Sequence, residues 1–101
     1  MRDRDALELM TQLVNSFGED YLYFKVMEEA SELAHSISKV LARRNVPDHP
    51  SKAESPVYEG HMIEEFAQLK IYMELLETIL PATEVKFHQE RKVRLILDKL
   101  P

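Results

Sequence analysis

The sequence predicts an all-α protein. Its 101 residues include only two glycines, few of its β-branched residues fall outside the helical pattern, and long stretches run free of proline. No segment alternates apolar and polar residues as a half-buried strand does. A chain of this length without low-complexity sequence is read as one domain, residues 1–101, because single domains commonly run to roughly 100–150 residues.

About four helices follow from the spacing of apolar residues. The first spans Asp3 to Ser16, where Ala6, Leu9, Met10, Leu13, Val14 and Phe17 recur every three or four positions, and Gly18 ends it as a C-terminal cap. The second and longest runs from Asp20, a candidate N-cap, to Arg44, with "ARRN" placing cations at its C-terminal end. Between Asn45 and Pro56, "NVPDHPSKAESP" gathers turn-forming and helix-breaking residues and predicts a loop. A third helix begins at Val57 or Glu59 and runs to Leu80, where Pro81 stops it. The fourth spans Thr83, a candidate N-cap, to Lys99.

Charge and composition narrow the function classes. A net charge of −5 argues against nucleic acid as the main partner, because such binders concentrate positive charge. "LARRN" and "ERKVRL" are local basic runs, short enough to be solvated helix faces. The absence of cysteine excludes disulfides, thiol catalysis and thiolate metal sites, so a reducing cytoplasm is the expected setting. "MRDRDALELM" lacks the apolar centre of a signal peptide, and no run approaches the roughly 18 apolar residues of a membrane span.

The unusual feature is acidic. In "KVMEEASELAH", Lys25 to His35, three glutamates sit among Val26, Met27, Ala30 and Leu33, and "HMIEEFAQLKIYM" repeats the pattern with Glu64 and Glu65. At roughly 100° per residue, Leu22, Val26, Ala30, Leu33, Ile37, Val40 and Leu41 form the apolar arc of the second helix. Glu29 lies at the edge of that arc, and Glu32 follows one turn later. On the third helix the arc is Met62, Phe66, Leu69, Met73, Leu76 and Leu80, broadened by Tyr72 and Ile79. Glu65 falls inside it and Gln68 at its margin.

A carboxylate facing an interior must be paired, protonated or bound to a cation. Two such faces packed together suggest a shared ion, and oxygen donors without sulfur suit Mg²⁺ or Mn²⁺. The competing account is a helix boundary where Lys25, Lys39 or Lys70 pairs the glutamates in solvent. Packing of the two helices through Val26, Ala30, Leu33, Ile37, Met62, Phe66, Leu69 and Met73 is expected. Their apolar faces exceed what one small protomer covers, which predicts a four-helix bundle completed by a second copy, as a homodimer or a dimer of dimers.

"EEASE" (Glu28 to Glu32), followed after a helix and loop by "EFAQ" (Glu65 to Gln68), resembles the EExxE and ExxD pair of the MazG-like all-α nucleoside triphosphate pyrophosphohydrolases. The resemblance extends from about Phe17 to Leu100, and the short single-domain phage and bacterial members are the most similar. It implies Mg²⁺-dependent cleavage of a nucleoside triphosphate between its α- and β-phosphorus atoms, giving a monophosphate and pyrophosphate. The implied metal ligands are Glu29, Glu32, Glu65 and Gln68. Glu28 matches the leading motif glutamate and is the candidate catalytic residue that orients water or a ligand. Gln68 stands where the family carries an acid, so the site loses one formal charge. A degenerate protein that binds a nucleotide or a protein partner without turnover is therefore the alternative.

Further candidates lie outside the motif. His61, one turn before Glu65, and Lys92 and Arg94 on the last helix are candidate phosphate contacts, with plain surface residues as the competing account. His35 is weighed in the same way. Tyr21, Tyr23, Phe24 and Tyr72 offer faces for a base, against core or interface packing.

Overall fold

The computed structural model describes residues 3–45 and 55–101, apart from the side chains of Asp3, Ala6 and Ser55. Residues 46–54 of the expected loop, and the expected inward placement of Ala6, lie outside the described residues. Among the described residues the regular structure is helical: α1 (Asp3–Phe17), α2 (Asp20–Asn45), α3 (Ser55–Glu77) and α4 (Ala82–Lys99). None of these helices is long and apolar enough to cross a membrane.

The helix ends show which local chemistry prevailed. Gly18 ends α1 with φ +86°, a left-handed conformation open to a residue without Cβ, and its N–H donates to the Val14 carbonyl at 2.8 Å. Asp20 is the first residue of α2 rather than a cap ahead of it. At the other end of α2, side chains add bonds to last-turn carbonyls: Arg43 donates to Lys39 O at 3.0 Å and Asn45 to Leu41 O at 2.8 Å.

α3 starts at Ser55, earlier than the expected Val57 or Glu59, because Pro56 falls in the first turn, where its missing N–H costs nothing. It ends at Glu77 rather than Leu80. The Thr78 hydroxyl and N–H both reach the Leu75 carbonyl, at 2.6 and 3.2 Å, which draws the chain into a tight turn ahead of Pro81. α4 begins at Ala82, with Pro81 in the cap position and no side-chain cap bond, so Thr83 lies within the first turn and is not the N-cap.

The apolar core sits where three helices meet. Leu22 and Leu75 are fully buried, and Leu9, Met10, Leu13 and Val14 from α1 pack on them with Tyr72 and Ile79. Burying each such leucine contributes about 1.5–3 kcal/mol. α2 packs along α3 and α1 closes one end of that pair.

The packed faces are rotated from the expected arcs. On α2 the less exposed row is Leu22, Val26, Glu29, Leu33, Ser36 and Val40; on α3 it is Tyr58, Met62, Glu65, Leu69, Tyr72 and Leu75. Four of the expected α2 to α3 packing residues, Ala30, Ile37, Phe66 and Met73, are exposed instead. Each arc is wider than one helix contact, and the contact selected the side that carries the glutamate.

α4 has no buried residue. The chain exposes 8002 Å², against about 5,900 Å² for a compact monomer of its mass. Its radius of gyration is 17.5 Å, against about 13 Å for that length.

Candidate metal centre

Glu29 and Glu65 occupy the middle of the two packed rows, so the helix contact that buries Leu22 and Leu75 also turns these carboxylates toward each other. Glu32, one turn after Glu29, completes the group. One oxygen from each of Glu29, Glu32 and Glu65 lies within 4.8 Å of the others. Glu29 is 6% exposed. Spacings of three or four residues place neighbours on one helix face, which is why Glu29 and Glu32 share a site.

The cluster is only partly neutralised. Lys25 Nζ lies 3.6 Å from Glu29 Oε1 and 3.4 Å from Glu28 Oε1, and sits over the Tyr72 ring at 5.4 Å. Burial pulls the Lys25 pKa down, but the hydrogen bond to Glu28 and the surrounding charges outweigh it, leaving a net upward shift. Burial is also the first cause that raises the Tyr72 phenol above its ordinary value. Among the described residues, Glu29 Oε2 and Glu65 Oε2 are buried with no hydrogen-bond partner. A buried polar atom left unsatisfied costs about 1–3 kcal/mol.

Glu32 shows how the group meets that cost through a proton. Its pKa is raised, first by a hydrogen bond with Glu65, then by burial, then by repulsion from Glu65 and Glu28. Repulsion between neighbouring carboxylates makes the charged form of Glu32 costlier, so its carboxyl holds its proton to a higher pH than an isolated glutamate does. Glu29, Glu32 and Glu65 are the residues that would hold a cation here, and its charge would offset the repulsion among them. The donor set of hard oxygens fits Mg²⁺ or Mn²⁺.

Beside the cluster an open groove of about 810 Å³ is lined by Glu28, Ser31, Glu32, His35, Ser36, Lys39, His61, Glu64 and Glu65. The structure thus brings the sequence candidates Glu28 and His61 to the groove. Gln68 is exposed and does not line it. Lys92 and Arg94 lie on α4, where they line separate shallow grooves. Of the aromatic candidates, Tyr21 stacks on Phe17 at 4.7 Å, Tyr72 packs against the core and carries Lys25, and Tyr23 and Phe24 are exposed.

Sequence reasoning missed Lys39 as a groove residue and missed the group beyond it, in which Arg43 lies 3.6 Å from the centre of the Tyr58 ring and Arg44 pairs with Glu59. A signal was present in the spacing: Glu28, Glu32, His35 and Lys39 recur at four, three and four residues, a single row along one helix face. No family model, no curated protein and no solved structure matches the chain.

Proposed function

We propose that this chain is a Mg²⁺-dependent hydrolase that converts a nucleoside triphosphate, or a related nucleotide, to a monophosphate and pyrophosphate. One observation carries the reading: Glu29 and Glu65, each with a buried oxygen that has no hydrogen-bond partner among the described residues, converge with Glu32 at the edge of an open groove. The similarity of "EEASE" and "EFAQ" to the MazG-like motifs supports it. Mn²⁺ is the other ion that the donors suit.

Glu29, Glu32 and Glu65 hold the cation. When bound, it neutralises phosphate charge and acidifies water. Glu28 faces the groove with Lys25 holding one of its oxygens, which leaves the other to orient a water and accept its proton. Water adds at the α-phosphorus, the bond to the bridging oxygen breaks with its electron pair, and pyrophosphate leaves.

The acting species is a homodimer or a dimer of dimers. Ala30, Ile37 and Leu41 on α2, with Ile63, Phe66 and Met73 on α3, are exposed on the sides of the helices turned away from the packed rows. A second copy laid against them completes a four-helix bundle, and the surplus exposed area of about 2,000 Å² matches what obligate interfaces bury.

Gln68 favours a second reading. It is neutral, exposed and outside the groove lining, so the centre has three carboxylates where the family motif supplies a fourth acid. In that case the protein binds a nucleotide or a protein partner without turnover. The test is pyrophosphate release from a nucleotide panel with Mg²⁺, on protein whose mass by light scattering is a multiple of the 11.8 kDa protomer. Release that disappears in Glu32→Ala and Glu65→Ala supports hydrolysis. Calorimetric nucleotide binding without release, converted to release by Gln68→Asp, selects the degenerate protein; equal release in every variant rejects the site.

A further inference from the structure

The groove is electrically polarised along its length. On α2 the residues facing it change sign within one row, from Glu28 and Glu32 through His35 to Lys39, and α3 answers with Glu64 and Glu65 at one end and His61 at the other. Because α3 runs antiparallel to α2 along the groove, the two acidic segments face each other, and so do the two segments that carry N–H donors.

Lys39 is the cation at that second end. Among the described residues no carboxylate pairs with it, and its ammonium lies 5.7 Å from the centre of the Tyr58 ring, whose face Arg43 already occupies at 3.6 Å. Arg44 is held by Glu59, so the described cations at this end, Lys39, Arg43 and Arg44, meet one paired carboxylate. Among the described residues, Lys25 is the cation paired with the carboxylates at the other end. Lys39 lies seven residues beyond Glu32, about 10 Å along the helix axis. Lys39 lines the same groove as His35, Glu32 and Glu65, over a span that fits a short chain of phosphates.

We infer that Lys39, with the imidazole N–H groups of His35 and His61, forms an anion subsite that holds the terminal phosphates of the substrate and fixes its direction in the groove. The inference rests on the proposed hydrolase reading and extends it, by assigning the phosphate tail to α2 and the start of α3 instead of to Lys92 and Arg94 on α4. Inorganic pyrophosphate is the ligand that isolates this subsite, since it carries the tail without sugar or base. Charge-assisted hydrogen bonds to phosphate are strong enough for the loss of Lys39 to be measurable on its own.

The experiment is calorimetry of the full chain with inorganic pyrophosphate, with and without Mg²⁺, beside a titration with Mg²⁺ alone. Lys39→Ala is expected to weaken pyrophosphate binding about tenfold or more and to leave the affinity for Mg²⁺ alone unchanged, with Lys39→Arg recovering most of the loss. The imidazole NMR signals of His35 and His61 should shift when pyrophosphate is added to the wild type and shift less in Lys39→Ala. Pyrophosphate binding untouched by Lys39→Ala, reduced instead by Lys92→Ala or Arg94→Ala, or absent from the wild type overturns the subsite. Absence of Mg²⁺ binding in the wild type counts against the metal centre alone, because metal-free pyrophosphate binding that still depends on Lys39 upholds the subsite.

Discussion

Leu22 and Glu29 lie two turns apart on the same row of α2, and Leu75 and Glu65 lie on the same row of α3, yet the two places solve opposite problems. At the leucines, α1 covers the α2 to α3 pair and apolar surface is buried against apolar surface. At the glutamates α1 no longer covers the pair, the groove opens, and the same helix contact buries carboxylate oxygens that find no partner. One end of the pair is built for stability. The other leaves two buried carboxylate oxygens without a hydrogen-bond partner among the described residues, a cost that a bound cation would lower.

The comparison predicts substitutions of opposite sign. Leu75→Ala, at a fully buried position, should lower the unfolding free energy by about 2–5 kcal/mol in urea denaturation; a loss well under that range would mean that the junction is not the core. Glu29→Leu should instead raise metal-free stability by about 1 kcal/mol, because it removes a buried oxygen that has no hydrogen-bond partner while Lys25 keeps Glu28 as its pair. The same variant should lose any stabilisation by Mg²⁺. A Glu29→Leu protein that is less stable than the wild type without metal would show that the Lys25 pair holds the fold together, and the contrast between the two ends would fail.

A smaller effect concerns protons. The Glu32 pKa is raised in the folded chain, so over the interval between its unfolded and folded values the native state binds more protons, and stability falls as pH rises. The contribution is fully present below the ordinary glutamate value and is lost as pH climbs through the raised one. Glu32→Gln keeps a hydrogen-bond donor for Glu65 and does not titrate. Its metal-free melting temperature should therefore exceed that of the wild type near neutral pH, and the two should converge in acid. A difference that stays constant across the range would remove the Glu32 proton from the account.

The helices themselves were legible in the sequence, because three- and four-residue apolar spacing, Gly18 and Pro81 are local signals. The two glutamate pairs were legible too, as charge placed in apolar arcs. The rotation that buried Glu29 and left Ala30, Ile37, Phe66 and Met73 outside was not. Both arcs are wider than a single helix contact, and periodicity alone does not choose the side that turns inward. The end of α3 was misjudged for a local reason, the Thr78 hydroxyl bond to Leu75, which competes with helix continuation. Lys39 was read as a solvent counter-ion because its significance depends on α3 placing His61 across the groove from it.

If Glu29, Glu32 and Glu65 form a divalent-cation site, as we propose, thermal unfolding across a Mg²⁺ titration reports it. A ligand that binds only the folded chain adds about 2.7 kcal/mol at a concentration of one hundred times its dissociation constant. The wild type should therefore melt at steadily higher temperature as Mg²⁺ increases, while Glu65→Ala, measured at the same ionic strength, should stay flat. A wild-type melting temperature that does not respond to Mg²⁺, or one that rises equally in Glu65→Ala, would contradict the claim.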